Sequence, residues 1–141
     1  VFHVCLSFLH DGGILNEGLV DASLVREALR SSLAVLDGTT AEVGAPPAEL
    51  NVMVSSGSYI VALHRSGAKM SLRILSGKAD ADALIGEDAQ LRGKTPEIAR
   101  MHFTIAASDF DDAEPGARWK AVPDRAIVTM SRDADPRIEA L

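Results

Sequence analysis

The spacing of apolar and polar residues changes along the chain, and each change marks an element. Val1 to His10 is apolar at nearly every position, so period alone does not separate a helix from a buried strand. Phe2, Cys5, Leu6 and Leu9 fall at helical spacing, with His3, Ser7 and His10 on the opposite face. This predicts a helix ended by Asp11-Gly12-Gly13, where glycine permits a left-handed exit. Asp21 then stands where an N-cap belongs, and Val25, Ala28, Leu29, Leu33 and Leu36 form one apolar stripe. Asp37-Gly38 predicts the stop of this second helix. A loop follows through Gly44 and Pro46-Pro47, since consecutive prolines cannot continue a helix.

From Leu50 the period becomes two. Leu50, Val52 and Val54 alternate with Asn51, Met53 and Ser55; Ser56-Gly57-Ser58 interrupts, and Tyr59 to His64 resumes. Two β-rich runs joined by a short Gly/Ser turn predict a hairpin. Its second strand is apolar on both faces, which implies a sheet covered on both sides. Met70 to Leu75 predicts a third strand, and Met101 to Ala107 another. Between them, Lys78 to Pro96 reads as loop with a short helical turn. Asp109 to Gly116 is an acidic turn region. Trp119 to Val122, a Pro123-Asp124 turn and Ala126 to Met130 predict a final hairpin, and the polar tail from Arg132 is expected to fray. Two helices followed by five or six antiparallel strands make an α+β plan.

Composition narrows the function. The 141 residues suit one domain, and 47% hydrophobic with 24% charged content argues against wholesale disorder. A net charge of -6, with Lys and Arg scattered, disfavours nucleic acid and anionic membrane surfaces as partners. No apolar run approaches the roughly 20 residues of a membrane-spanning helix. The single cysteine forbids an internal disulfide and every multi-cysteine metal pattern. Cys5 lies among Val4, Leu6 and Phe8, which suits a buried hydrophobe better than a reactive thiol. His3 and His10 are two helical turns apart, and His64 and His102 lack spaced partners, so no metal and no cofactor is expected. The group Asp109, Asp111, Asp112 and Glu114 lacks the alternation of a calcium loop and reads as a solvated turn. No phosphate loop, dinucleotide fingerprint, nucleophile elbow or zincin motif is present. The abrupt apolar start at Val1 reads as something cut from a longer polypeptide.

Several segments, taken in order, resemble one family. They are Val1 to Leu9, the Asp-capped helix containing Val25-Arg26-Glu27-Ala28-Leu29, and Ala48-Glu49-Leu50-Asn51-Val52-Met53-Val54 with its Gly turn and Tyr59 to Arg65. Phe103-Thr104-Ile105-Ala106-Ala107-Ser108-Asp109 follows, then Trp119-Lys120-Ala121-Val122-Pro123. This succession is similar to the later part of a class II glutamine amidotransferase domain. It is closest to the stand-alone branch that includes the ergothioneine-pathway γ-glutamyl hydrolase.

The resemblance implies a four-layer αββα sandwich of antiparallel sheets, the N-terminal-nucleophile hydrolase fold. It also implies cleavage of glutamine or a γ-glutamyl amide by an N-terminal cysteine whose α-amine is the base. Residue 1 here is Val, and the family's Arg, Asn-Gly and Asp glutamine-site motifs have no counterpart in these residues. The expectation is therefore a C-terminal portion of such a domain, with no catalytic residue of its own. Its partners would be the N-terminal portion of the same domain and a small-molecule amide, in the cytoplasm. Ser108 and Asp109 are the implied substrate-binding positions, although the same pair suits a strand end that simply turns. Two other readings stand beside this one. One is a non-catalytic module using the same sheet to bind a ligand or protein; the other is a self-contained cysteine enzyme pairing Cys5 with a histidine.

Overall fold

Asp21 caps the longer of two helices. Its backbone is extended, and its carboxylate accepts the Ser23 N–H at 2.7 Å, satisfying one of the donors a helix start leaves open. The computed structural model describes residues 1–16, 18, 20–76, 79–80, 102–108, 119–132 and 134–141. In it α1 spans Phe2–Asp11 and α2 spans Ala22–Glu42, with a single 3-10 turn at Ile14–Asn16 between them. The exit from α1 is as its sequence predicts: Gly13, at φ 72, donates to the His10 carbonyl at 2.8 Å.

The end of α2 is a correction. Asp37-Gly38 does not stop it; the helix continues to Glu42. Gly38 in a helix interior costs about 1 kcal/mol relative to Ala. That cost is offset nearby, because Asp37 is held by Arg65 from the sheet. The stop is built further on: Gly44, at φ 67, donates to Ala41 O at 3.1 Å, and Ala45 N donates to Thr40 O at 2.8 Å. These nested bonds form a Schellman motif, which only the second glycine has the backbone conformation to make.

Seven antiparallel strands follow among the described residues: β1 Leu50–Ser55, β2 Tyr59–Arg65, β3 Met70–Ser76, β4 His102–Ser108, β5 Lys120–Ala121, β6 Ala126–Ser131 and β7 Ala134–Ala140. They form a four-stranded sheet in the order β1-β2-β6-β7 and a three-stranded sheet in the order β4-β3-β5. The β1–β2 hairpin has the expected register, with Ser55 opposite Ile60 and Asn51 opposite His64.

Alternation along β2 and β6 assigns the faces. Val61, Leu63 and Ile127 pack with Cys5, Leu9, Val25, Ala28, Leu29 and Leu33 of the helices. Ala62, Ala126, Val128 and Met130 pack instead with Met70, Leu72 and Val122 of the second sheet and its exit. The first sheet is thus covered on both faces, as the doubly apolar β2 requires. The class is α+β, with helices on one side of the first sheet and the second sheet on the other. At the start of β2 and the end of β3, Ile60 and Ile74 share these inward-facing rows but remain partly exposed.

Two further corrections concern the last third. Trp119 to Val122 and Ala126 to Met130 do not form a hairpin. β5 pairs with β3, matching Ser71 to Ala121 and Leu72 to Lys120, whereas β6 pairs with β2 and β7. A period-two run says that a strand forms, not which sheet it joins; Pro123 and the left-handed Arg125 carry the chain across. Nor is the tail from Arg132 frayed. β7 pairs along β6 with Val128 opposite Ile138, and Ile138 packs into the intersheet core. On its other face Glu139 meets Arg26 Nε of α2 at 2.9 Å, and Arg30 donates to Ala140 O at 3.1 Å. Polar residues here serve a helix–sheet seam rather than solvent. The expected loop and turn over Lys78 to Pro96 and the acidic turn at Asp109 to Gly116 lie, but for Ala79 and Asp80, outside the described residues. No helix among the described residues is long and apolar enough to cross a membrane.

Candidate functional site

The chain passes between the two sheets twice, and both passages lie at the same end. Residues 66–69 lead from β2 to β3, and residues 122–125 lead from β5 to β6. They are tied together: Ser66 N–H donates to Asp124 Oδ1 at 2.6 Å, and Val122 N–H donates to Met70 O at 2.9 Å. Three residues here adopt the left-handed region, Ser66 at φ 45, Gly67 at φ 89 and Arg125 at φ 57. Ser66 and Arg125 are the only non-glycine residues described with positive φ, and both flank Asp124 in space or sequence. Such conformations persist where surrounding contacts over-determine them, and they concentrate at functional sites.

His64, near the end of β2, is 6% exposed and points to the intersheet face with Ala62. Its Nδ1 lies 2.7 Å from Asn51 Oδ1 on the neighbouring strand. Asn51 Nδ2 donates to Ala68 O at 2.7 Å, so its carbonyl end must face the ring. His64 Nδ1–H is therefore the donor to Asn51 Oδ1. Asp124 is exposed, and the Ser66 N–H, aided by that of Arg125, holds its carboxyl below the usual carboxylate range. On the opposite face of the sheet Arg65, 3% exposed, pairs through Nη1 with Asp37 Oδ1 at 2.6 Å.

Ser108 ends β4 opposite Met70, the residue that leaves the 66–69 passage, so it borders this same end of the sheets and is exposed. Asp109 lies outside the described residues. Sequence reasoning missed Asn51 and Asp124 altogether. The signal for Asn51 was available: once Ser56-Gly57-Ser58 is taken as the turn, counting back along both arms sets Asn51 opposite His64. For Asp124 there was no comparable signal, because its partner Ser66 belongs to a different strand pair.

Cys5 sits elsewhere. It is 4% exposed beneath α2, with Ser32 beside it, on the helix side of the first sheet and away from His64. Burial pushes its thiol pKa up, the opposite of what a nucleophile needs. His3 and His10 are exposed on α1, and the His10 ring lies 3.3 Å from Asp11 Oδ1. Among the described residues no group of three or more His, Cys, Asp or Glu side chains is placed to hold a metal ion.

Comparison with protein-family models, with curated proteins and with solved structures found no match. Among the described residues, this end of the sheets gathers an imidazole held by Asn51, a carboxylate and an exposed hydroxyl.

Proposed function

We propose that this chain supplies the sheets and outer helices of a class II glutamine amidotransferase-like amide hydrolase, acting on glutamine or a γ-glutamyl compound. In this reading the two sheets and the helices are part of a four-layer αββα sandwich. The catalytic cysteine comes from an N-terminal segment outside these 141 residues. Ser108, at the end of β4, and Asp109, which follows it in sequence, contact the substrate. The observation that carries the reading is the stacking of two antiparallel sheets face to face with both helices outside one of them. The position of Ser108 beside both intersheet passages agrees with it.

A second reading, a binding module without catalysis, is favoured by the burial of the only cysteine. One experiment separates the two. The native protein, isolated from its source, is treated with a diazoketone analogue of glutamine and mapped by peptide mass spectrometry. The hydrolase reading expects label on an N-terminal cysteine and none on Cys5, together with glutamine or γ-glutamyl amide hydrolysis that the label abolishes. Absence of both label and hydrolysis supports the binding module. Label on Cys5 overturns both readings.

A further inference from the structure

The first sheet has two edges, β1 and β7, and they are built differently. Along β7 stand Asp135, Pro136 and Arg137, and its register against β6 shifts between Thr129 and Ser131. Charge, proline and bulges are the devices that keep an edge from pairing with another chain. β1 has none of them. Its residues Leu50–Ser55 include no charge and no proline, and its register against β2 is unbroken along its whole length. In the second sheet β5 is only two residues long, and β4 is bordered at both ends by residues outside the described ones.

The hairpin fixes which backbone groups β1 presents at its edge. Ser56 N–H donates to Tyr59 O at 3.1 Å, so these two residues are a hydrogen-bonded pair. Such pairs alternate along an antiparallel ladder. Val54–Val61, Val52–Leu63 and Leu50–Arg65 are therefore the other pairs that exchange bonds. Asn51, Met53 and Ser55 aim their N–H and C=O away from β2, and all three residues are exposed. A row of alternating donors and acceptors fits an extended strand, and β1 is complementary to itself. About a two-fold axis at Met53, Met53 meets the partner's Met53 and Asn51 meets the partner's Ser55. No other antiparallel register uses all three residues. Val52 then lies opposite the partner's Val54 on the helix-side face, where Val52 and Val54 are half-buried. No charge meets its like, and a two-fold contact closes after two copies. We propose that β1 is the edge through which two copies of this chain join, making two four-stranded sheets into one of eight strands. This contact stands apart from the amide-hydrolase reading, since β1 carries neither Ser108 nor Asp109.

One short strand pairing is small beside the roughly 1,200–2,000 Å² of a standard interface, so the dimer should be weak and its population should rise with concentration. Sedimentation velocity on the native protein between about 10 µM and about 1 mM should show monomer giving way to dimer. Amide hydrogen exchange at both ends of that range reads the edge itself. Protection of the Asn51, Met53 and Ser55 amides should rise at least about fivefold with concentration, while Val52 and Val54, already bonded to β2, change far less. Met53→Lys sets like charges against each other across the two-fold and should leave the protein monomeric throughout. Its circular dichroism melt at the lower concentration should match the native one, because Met53 is exposed. Met53→Glu should behave alike, and an equal mixture of the two variants should dimerise again, since opposite charges then face each other. The proposal is overturned if the native protein stays monomeric, or if Met53→Lys dimerises as well as the native chain. It is equally overturned if the three amides are protected alike at both concentrations, as beneath another segment of the same polypeptide, or if the mixture stays monomeric.

Discussion

Arg65 at the end of β2 reaches back under α2 to hold Asp37 at 2.6 Å, in the very stretch where the sequence suggests that helix should stop. The guanidinium is buried while the carboxylate is partly open to water. A buried cation that loses its partner is costly, and the exposure of Asp37 moderates the loss. Asp37→Ala should lower the unfolding free energy by about 1–3 kcal/mol and fray α2 beyond Leu36. Urea unfolding followed by circular dichroism measures the first, and amide hydrogen exchange at residues 38–42 the second.

Asp21 and Asp124 give stability a defined acid limb. The Ser23 hydroxyl and N–H depress Asp21, and the Ser66 N–H depresses Asp124, both from an ordinary value of 3.8. A carboxyl depressed in the folded state stabilises fully above its unfolded pKa and loses that contribution as pH falls through the folded one. The Tm difference between native chain and an Asp21→Ala, Asp124→Ala double variant should be largest near about pH 7 and close toward about pH 2. A difference that stays constant over that range would mean that neither hydrogen bond favours the ionised form.

The left-handed turns at Ser66 and Arg125 can be tested for function. Glycine removes the Cβ conflict but loosens the unfolded chain, so Ser66→Gly and Arg125→Gly should each change stability by no more than about 1 kcal/mol, toward stabilisation. If the strain serves to fix Asp124, the same variants should weaken ligand binding at this end of the sheets while unfolding at equal or higher denaturant concentration.

Cys5 should resist modification. Its thiol is buried and burial raises its pKa, so little thiolate is available near neutrality. Iodoacetamide should label it slowly in the native chain and rapidly in urea. Fast native labelling would contradict its place in the helix-side core.

Ser108 is exposed at a strand end, so Ser108→Ala should leave unfolding unchanged. In the complete protein, loss of one neutral hydrogen bond to substrate should lower kcat/KM by about two- to tenfold. Unaltered kinetics in both Ser108→Ala and Asp109→Ala would remove this strand end from the substrate site.

Local patterns were the legible part of this chain. Asp21, the β1–β2 hairpin and the two-sided burial of β2 each follow from residues close together in sequence, where caps, turns and alternation act. What stayed hidden depends on partners far away. Gly38 reads as a stop until Arg65 is known to hold its neighbour; Lys120-Ala121 reads as half a hairpin until β3 claims it. The tail reads as frayed until Arg26 and Arg30 meet Glu139 and Ala140. The site follows the same rule: Asn51 and His64 belong to one hairpin, but Asp124 enters through a contact that spans 58 positions.

The two intersheet passages have a mechanical consequence. With residues 66–69 and 122–125 at one end and bonded to each other, that end is a spine, and the opposite rim carries Ile60 and Ile74. A tilt of one sheet against the other would have to strain the Ser66–Asp124 and Val122–Met70 bonds at that end. Among the described residues, the two chain crossings and the bonds that resist such a tilt gather on one side, beside Asp124, as pages gather at a binding.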